Sequence, residues 1–305
     1  MADQLLRFLI ADSATRGEWV TLDTSWLQVT RRHSLDRRCT SLLGELCAAT
    51  LLLSATIKHR GSITAQIVGD GPIKLAVVQC RADGTYRATL KLSESRPLPA
   101  ESPDDTKAPN LTELINPGGQ GRFVITIDPQ EQGGQSYQGI VPLEGSTVAR
   151  MLERYMFRSE QLPTRLWLAA NQDKVAGMLL QKMPLGTKGP PPDSDGWNRL
   201  QKLAETMNAQ EMLGTDGQTA LHRLFWQEEL GHLDARDLSF LCQCSPERVT
   251  NMLKMLGKDE IDAIIAEQGE VSVNCEYCNS PYRFDPVDCA ALFAPGTMSG
   301  SNTRQ

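Results

Sequence analysis

Four cysteines near the C-terminus constrain this chain more than any other feature: Cys242-Gln243-Cys244 and, after thirty intervening residues, Cys275-Glu276-Tyr277-Cys278. Each short pair can place two sulfurs on one side of a tight turn. Two such pairs supply the four ligands of a tetrahedral, thiophilic metal. An all-thiolate set leaves no open position for a catalytic water, which argues against a hydrolytic site. Spacing alone does not exclude iron, but a module this small can close around a single ion, which favours zinc.

A zinc tetrathiolate is either an inert staple, common in nucleic-acid-binding ribbons, or a redox-sensitive switch. Charge separates the two. Residues 236–290 carry five Lys+Arg and ten Asp+Glu, and the whole chain has a net charge of −6. Such a face is repelled by phosphates, so neither nucleic acid nor an anionic membrane is an expected partner. No apolar run approaches the length of a membrane span, and Met1-Ala2-Asp3-Gln4 does not open a signal peptide. A cytoplasmic protein is therefore expected. There, eight cysteines are ligands, redox thiols or buried apolar residues rather than a disulfide framework.

The first half reads as sheet material around one long helix. Residues 34–57 contain apolar side chains at helical spacing and no proline. Ile63, Ala65 and Ile67, then Ile73, Leu75 and Val77, alternate around a Gly69-Asp70-Gly71-Pro72 turn. Asp83-Gly84 is a second hairpin signal, leading into a strand from Tyr86 to Leu92. Residues 93–121 predict a polar loop around a short helix. Strands follow at Arg122–Asp128 and Tyr137–Pro142, a helix over 148–157, and strands over 165–169 and 177–183.

The run GTKGPPPDSDG over 186–196 is the clearest boundary, since three prolines continue neither a helix nor a central strand. Beyond it lie two amphipathic stripes, Leu200, Leu203 and Met207, then Leu221, Leu224 and Phe225. Helices this short are marginal in water and need a surface to dock on. Ser245-Pro246-Glu247 opens a helix, Gly257 ends it, a second short helix follows, and strands flank the second cysteine pair. The expected fold class is α+β: an N-terminal α/β sheet domain (1–185), a helical linker (186–236), a small zinc-binding domain (237–291) and a disordered tail (292–305).

No catalytic constellation emerges, and an enzyme is not expected. Cys39, Cys47, Cys80 and Cys289 stand singly; Cys47 falls on the apolar helix, and Cys289 lies near the metal module without a partner. His33, His59, His222 and His232 are scattered. Gly118-Gly119-Gln120 and Gly133-Gly134-Gln135 read as turn glycines, and no phosphate loop follows either. Two other classes remain open on these residues: a thiol–disulfide oxidoreductase using Cys-x-x-Cys, and an acidic zinc-ribbon regulator.

Several segments together carry a resemblance. Gly69-Asp70-Gly71-Pro72-Ile73-Lys74-Leu75-Ala76-Val77-Val78, Tyr137-Gln138-Gly139-Ile140-Val141, Arg158-Ser159-Glu160-Gln161-Leu162-Pro163-Thr164-Arg165-Leu166 and Gly177-Met178-Leu179-Leu180-Gln181, with the cysteine quartet, resemble the thirty-three-kilodalton heat-shock chaperone family, the redox-regulated bacterial holdases. The proline run and Cys289 depart from the family pattern. The resemblance implies zinc ligands at Cys242, Cys244, Cys275 and Cys278, one zinc ion per chain in the reduced form, and oxidised pairs Cys242–Cys244 and Cys275–Cys278. It implies an inactive reduced form. Oxidation with unfolding stress turns that form into an ATP-independent, dimeric holdase that binds unfolded clients and hands them to ATP-dependent chaperones. Release of the two linker stripes would then expose apolar surface to clients.

Overall fold

The computed structural model describes residues 2–57, 61–100, 110–129, 135–184, 193 and 195–294, and the chain divides into two compact units, Met1–Leu241 and Cys242–Gln305. The first unit opens with an unforeseen hairpin, β1 (Gln4–Ile10) and β2 (Thr15–Leu22), followed by α1 (Thr24–Thr30) and the long α2 (Arg37–Thr56). Asp36 caps α2, its carboxylate accepting from the Cys39 N–H at 2.8 Å. The alternating segments become β3 (Ser62–Val68), β4 (Ile73–Arg81) and β5 (Thr85–Leu92), and the polar loop contains α3 (Leu111–Leu114). Then come β6 (Arg122–Asp128), β7 (Tyr137–Pro142), α4 (Val148–Tyr155), β8 (Thr164–Ala170) and β9 (Val175–Lys182).

Two sheets result, of order β10-β1-β2-β9-β8 and β11-β5-β4-β3-β6-β7, where β10 is Leu230–Asp237 and β11 is Ser239–Phe240. Every pairing is antiparallel except that of β11 with β5, so the class is α+β. Helix α2 packs against strands of both sheets. It approaches the first sheet closely because the contacts are small: a Cβ on Gly177 of β9 would stand 3.0 Å from the Ala48 Cβ. Among the described residues, α2 is the one helix long and apolar enough to cross a bilayer, which corrects the expectation that no apolar run approaches that length. It is the core helix, with 83% of its apolar window buried.

Two buried carboxyls give this unit an unusual pH dependence. Burial raises Glu45, on α2, to about 8. Burial also raises Glu18, on β2, to about 7 against the opposing charges of Arg16 and Arg7, and its Oε2 meets no hydrogen-bond donor among the described residues. Both folded-state values exceed the ordinary 4.5. Their contribution is therefore fully present below that value and is lost as pH rises through 7–8. The urea midpoint of the reduced chain should fall between pH 6 and pH 9 by an amount worth a few kcal/mol, roughly what shifts of this size imply. Glu45→Gln should remove most of the slope; an unchanged slope would show that Glu45 is not the group responsible.

Past the proline run, most of which lies outside the described residues, three short helices cover the outer face of the first sheet: α5 (Gly196–Glu205), α6 (Ala209–Gly214) and α7 (Gly217–Leu224). Leu200, Leu221, Leu224 and Phe225 are buried there against Leu6, Phe8, Ile10, Trp19, Met178 and Leu180, with Leu203 and Met207 packed at the margin. The Phe8 and Phe225 rings stack tilted, 6.0 Å apart. Arg199 locks the layer to itself, donating from Nε and Nη2 to the two Glu228 oxygens at 2.7 and 3.1 Å. At about 1.5–3 kcal/mol per fully buried large apolar side chain, docking rather than helix propensity holds these helices.

The sequence reading ends the linker at 236. In the structure residues 230–237 form the edge strand β10, and the next residues stay on the first unit: Leu238 N–H donates to Asp3 O at 2.9 Å and Leu241 N–H to Tyr86 O at 2.9 Å. The second compact unit therefore begins at Cys242 rather than 237. Nothing in Asp237-Leu238-Ser239-Phe240-Leu241 signals a turn, and the pairing partners lie far off in sequence.

The second unit contains α8 (Pro246–Leu256), α9 (Lys258–Gln268), the hairpin β12 (Val271–Asn274) and β13 (Pro281–Phe284), and α10 (Pro286–Leu292). Its core is small: Val249, Leu253, Ile261, Val271 and Cys289. Of the tail read as disordered, Leu292 closes α10 and Phe293 packs on this core; residues 295–305 lie outside the described residues.

Candidate metal centre

Both cysteine pairs sit in the second unit, each fixed by its own local structure. After Cys244, Ser245 caps α8, its Oγ accepting from the Arg248 N–H at 3.3 Å, and the Arg248 guanidinium returns to the Gln243 carbonyl at 2.8 Å. The second knuckle closes as Asn279 N–H donates to Cys275 O at 2.7 Å and Cys275 N–H donates to Ser280 O at 3.0 Å. Asn279 takes the left-handed conformation this turn requires (φ 54°), one that asparagine tolerates better than most residues.

The four predicted ligands converge. The Sγ atoms of Cys242, Cys244, Cys275 and Cys278 all lie within 4.8 Å of one another. Two close separations run between the knuckles, 3.5 Å for Cys242–Cys275 and 3.3 Å for Cys244–Cys278. A tetrahedron with metal–sulfur bonds of about 2.3 Å has edges of roughly 3.8 Å, so the donor set fits one thiophilic ion in number, softness and spacing. In the metal-free chain the thiols are not equivalent. Burial pushes Cys242 up. Burial also opposes ionisation of Cys278, but the Ser280 hydroxyl and N–H together with the Cys244 and Cys242 thiols outweigh it and hold that thiol well below its ordinary value.

The other singled-out residues lie elsewhere. Cys39, Cys47 and Cys80 are buried in the core of the first unit. Burial pushes Cys47 well above its ordinary value and Cys80 up to about 11, so both are inert thiols. Cys289 is in the small core of the second unit, outside the sulfur cluster. His222 is exposed, and His59 lies outside the described residues. Gly118-Gly119-Gln120 is a turn that grips Asp70, with the Gly118 and Gln120 N–H groups each donating to its carboxylate at 3.2 Å; Gly133 and Gly134 lie outside the described residues. Missed from the sequence were Ser280, whose Oγ lies 3.1 Å from the Cys278 Sγ, and Tyr282, whose hydroxyl lies beside Cys244. Also missed was the apolar face of β1 and β2 beneath the linker.

Comparison with known proteins adds to this geometry. Residues 3–285 match the Hsp33 protein family. The chain is 43% identical over 291 residues to the 33 kDa chaperonin of Chromobacterium violaceum, covering 95% of this chain and 94% of that protein. It is 40% identical over 306 residues to the 33 kDa chaperonin of Methylobacillus flagellatus, covering 100% and 99%. The fold is similar to the crystal structure of the Thermotoga maritima 33 kDa chaperonin (heat shock protein 33 homolog), with a TM-score of 0.80 at 21% identity, covering 96% and 98%.

Proposed function

The chain belongs to the Hsp33 protein family, chaperones rather than enzymes, and from that premise we propose that it is a redox-regulated holdase acting without ATP. The observation that carries this reading is that a metal-fitting thiol cluster follows directly on a segment whose helices cover an apolar sheet face. That segment, 196–241, joins the sheets of the first unit at their edges, through β10 and β11, covers one outer face, and adds Leu238 and Phe240 to the main core. It can peel away while β1-β2-β9-β8 and β5-β4-β3-β6-β7 remain paired.

The proposed ion is zinc, one per chain, held by Cys242, Cys244, Cys275 and Cys278 in the reduced, inactive form. When bound, zinc keeps the four sulfurs as thiolates and ties the two knuckles together. A thiolate attacks one oxygen of hydrogen peroxide, the O–O bond breaks and hydroxide leaves. The neighbouring thiol then attacks the sulfenic acid, a disulfide forms, and the oxygen departs as water. The proposed products are Cys242–Cys244 and Cys275–Cys278. The folded unit also holds sulfurs of different knuckles in close contact, and the local pairs form as the unit opens, when chain connectivity decides which thiols meet.

The choice of pair matters energetically. A disulfide closing three or four residues constrains the unfolded chain by roughly 1.5–2 kcal/mol, against almost 4 kcal/mol for loops of the between-knuckle size. Local pairing also leaves the two knuckles untied. The opened unit and the released linker would expose Leu200, Leu203, Met207, Leu221, Leu224 and Phe225, with the sheet face beneath, to unfolding clients. The same apolar surface accounts for a homodimer in the oxidised state. Clients would be held until ATP-dependent chaperones take them over. Reversible thiol chemistry of this kind suits a cytoplasmic protein, and the acidic second unit disfavours nucleic acid.

The test is light scattering of a heat-unfolding client without ATP. The peroxide-treated protein, activated at mild heat, should suppress aggregation and the reduced, metal-loaded protein should not. Equal suppression by both would overturn the switch.

A further inference from the structure

Each cluster sulfur meets hydrogen-bond donors, and these divide into two kinds. The knuckles bring backbone N–H groups of their own beside the sulfurs, those of Cys244, Tyr277, Cys278 and Ser280. Two donors are side chains, and both belong to the stretch leading into and along β13. Ser280 Oγ lies 3.1 Å from Cys278 Sγ; a thiolate has no proton to give, so the hydroxyl donates. The Tyr282 hydroxyl lies beside the Cys244 sulfur, which pushes its phenol up.

Both side chains are held by the fold of the small unit. Ser280 is pinned by its own carbonyl, which accepts from Cys275 N–H at 3.0 Å. Tyr282 pairs across the hairpin with Val273 and packs against the small core of the unit. If the hairpin frays, both donors leave while the knuckle N–H groups need not.

We propose, on the footing that the cluster is the redox metal site described above, that Ser280 and Tyr282 are positioning residues that set its zinc affinity and its rate of oxidation. A hydrogen bond to a thiolate draws electron density from sulfur. It spreads the excess negative charge of the tetrathiolate and makes each sulfur a weaker nucleophile. Melting of the hairpin by heat withdraws these donors and raises thiolate reactivity. This gives a physical route by which unfolding stress and oxidant act on the same four atoms.

The test uses the full reduced chain with Ser280→Ala, Tyr282→Phe and, as the conservative rescue, Ser280→Thr. Zinc affinity is read by competition with a chromophoric chelator, and zinc release is timed under hydrogen peroxide. The sulfur-to-metal charge-transfer band is recorded after cobalt(II) substitution. Ser280→Ala and Tyr282→Phe should each weaken zinc binding by about 10–100-fold, speed peroxide-driven release, and move the cobalt band to longer wavelength. Ser280→Thr should behave like the parent.

Affinities within about twofold of the parent and an unmoved band would overturn the assignment. So would weaker binding with an unmoved band and no rescue by threonine, since that pattern marks packing alone. Tyr282→Phe keeps the ring in the core, so its readout stands if Ser280→Ala fails to fold. If the parent chain takes up neither zinc nor cobalt with a tetrathiolate spectrum, the metal reading itself fails and this inference falls with it.

Discussion

Removing the metal from the reduced chain with a strong chelator should unfold residues 242–294 and leave α2 and the paired strands β1 to β9 folded. The second unit has five buried side chains at its centre, one of them Cys289, and a sheet of only two strands. A core of that size does not hold a domain of its length securely. A structural zinc contributes on the order of 10–16 kcal/mol of apparent folding free energy, which exceeds anything such a core supplies. Two-dimensional amide NMR should show the resonances of 242–294 collapsing toward random-coil positions, with those of α2 and of β3 to β6 unmoved. Cys275→Ser should give the same spectrum without chelator. Dispersed resonances for 242–294 in the metal-free chain would show that the unit is stable without its clamp.

The second large effect lies on the other side of the switch. Gly217 opens α7 directly over the sheet: a Cβ there would stand 2.5 Å from Trp19 Cδ1 and 2.9 Å from Leu6 Cδ1. The Trp19 ring is fully buried and its Nε1 donates to Thr21 Oγ1 at 3.0 Å, so it has no room to yield. Overpacking of this kind costs about 1–3 kcal/mol, and the marginal helical layer gives way before a paired sheet does. Gly217→Val should therefore bind a hydrophobic dye and hold clients while still reduced and metal-loaded. Gly214→Ala serves as the control, because a Cβ at Gly214 meets nothing within 4 Å. Dye binding by Gly217→Val no greater than that of the control would remove the linker from the account.

What the sequence showed and what it hid follow from where the physical signal resides. The strands from Ser62 to Leu92 and both strands of the small hairpin were legible because alternation and turn residues are local. The cysteine quartet was legible because ligand spacing is local too. Strands β1 and β2 were not read: β2 is buried on both faces along most of its length, so no alternation marks it. Strand β10, Leu-Gly-His-Leu-Asp-Ala-Arg-Asp, is polar and is made a strand by β1, more than two hundred residues away. The end of the linker was misplaced for the same reason. At the thiol cluster the four cysteines were evident and the hydroxyls beside them were not, since a serine and a tyrosine beyond a knuckle read as ordinary strand residues until the turn folds back.

The account requires that loss of the metal be transmitted to a layer that packs on the other unit. The chain path offers a route: Cys242 follows Leu241, whose N–H is bonded to Tyr86 O, and β11 pairs over only two residues. An opened second unit no longer anchors that end, and β10 and the helices before it can fray in turn. Hydrogen–deuterium exchange on the full chain, before and after peroxide at mild heat, tests this most directly. The account predicts that oxidation abolishes protection over 242–294 and over α5 to α7, while β3, β4 and α2 stay protected. Retained protection over 196–224 in a sample that has released its metal and holds clients would contradict it.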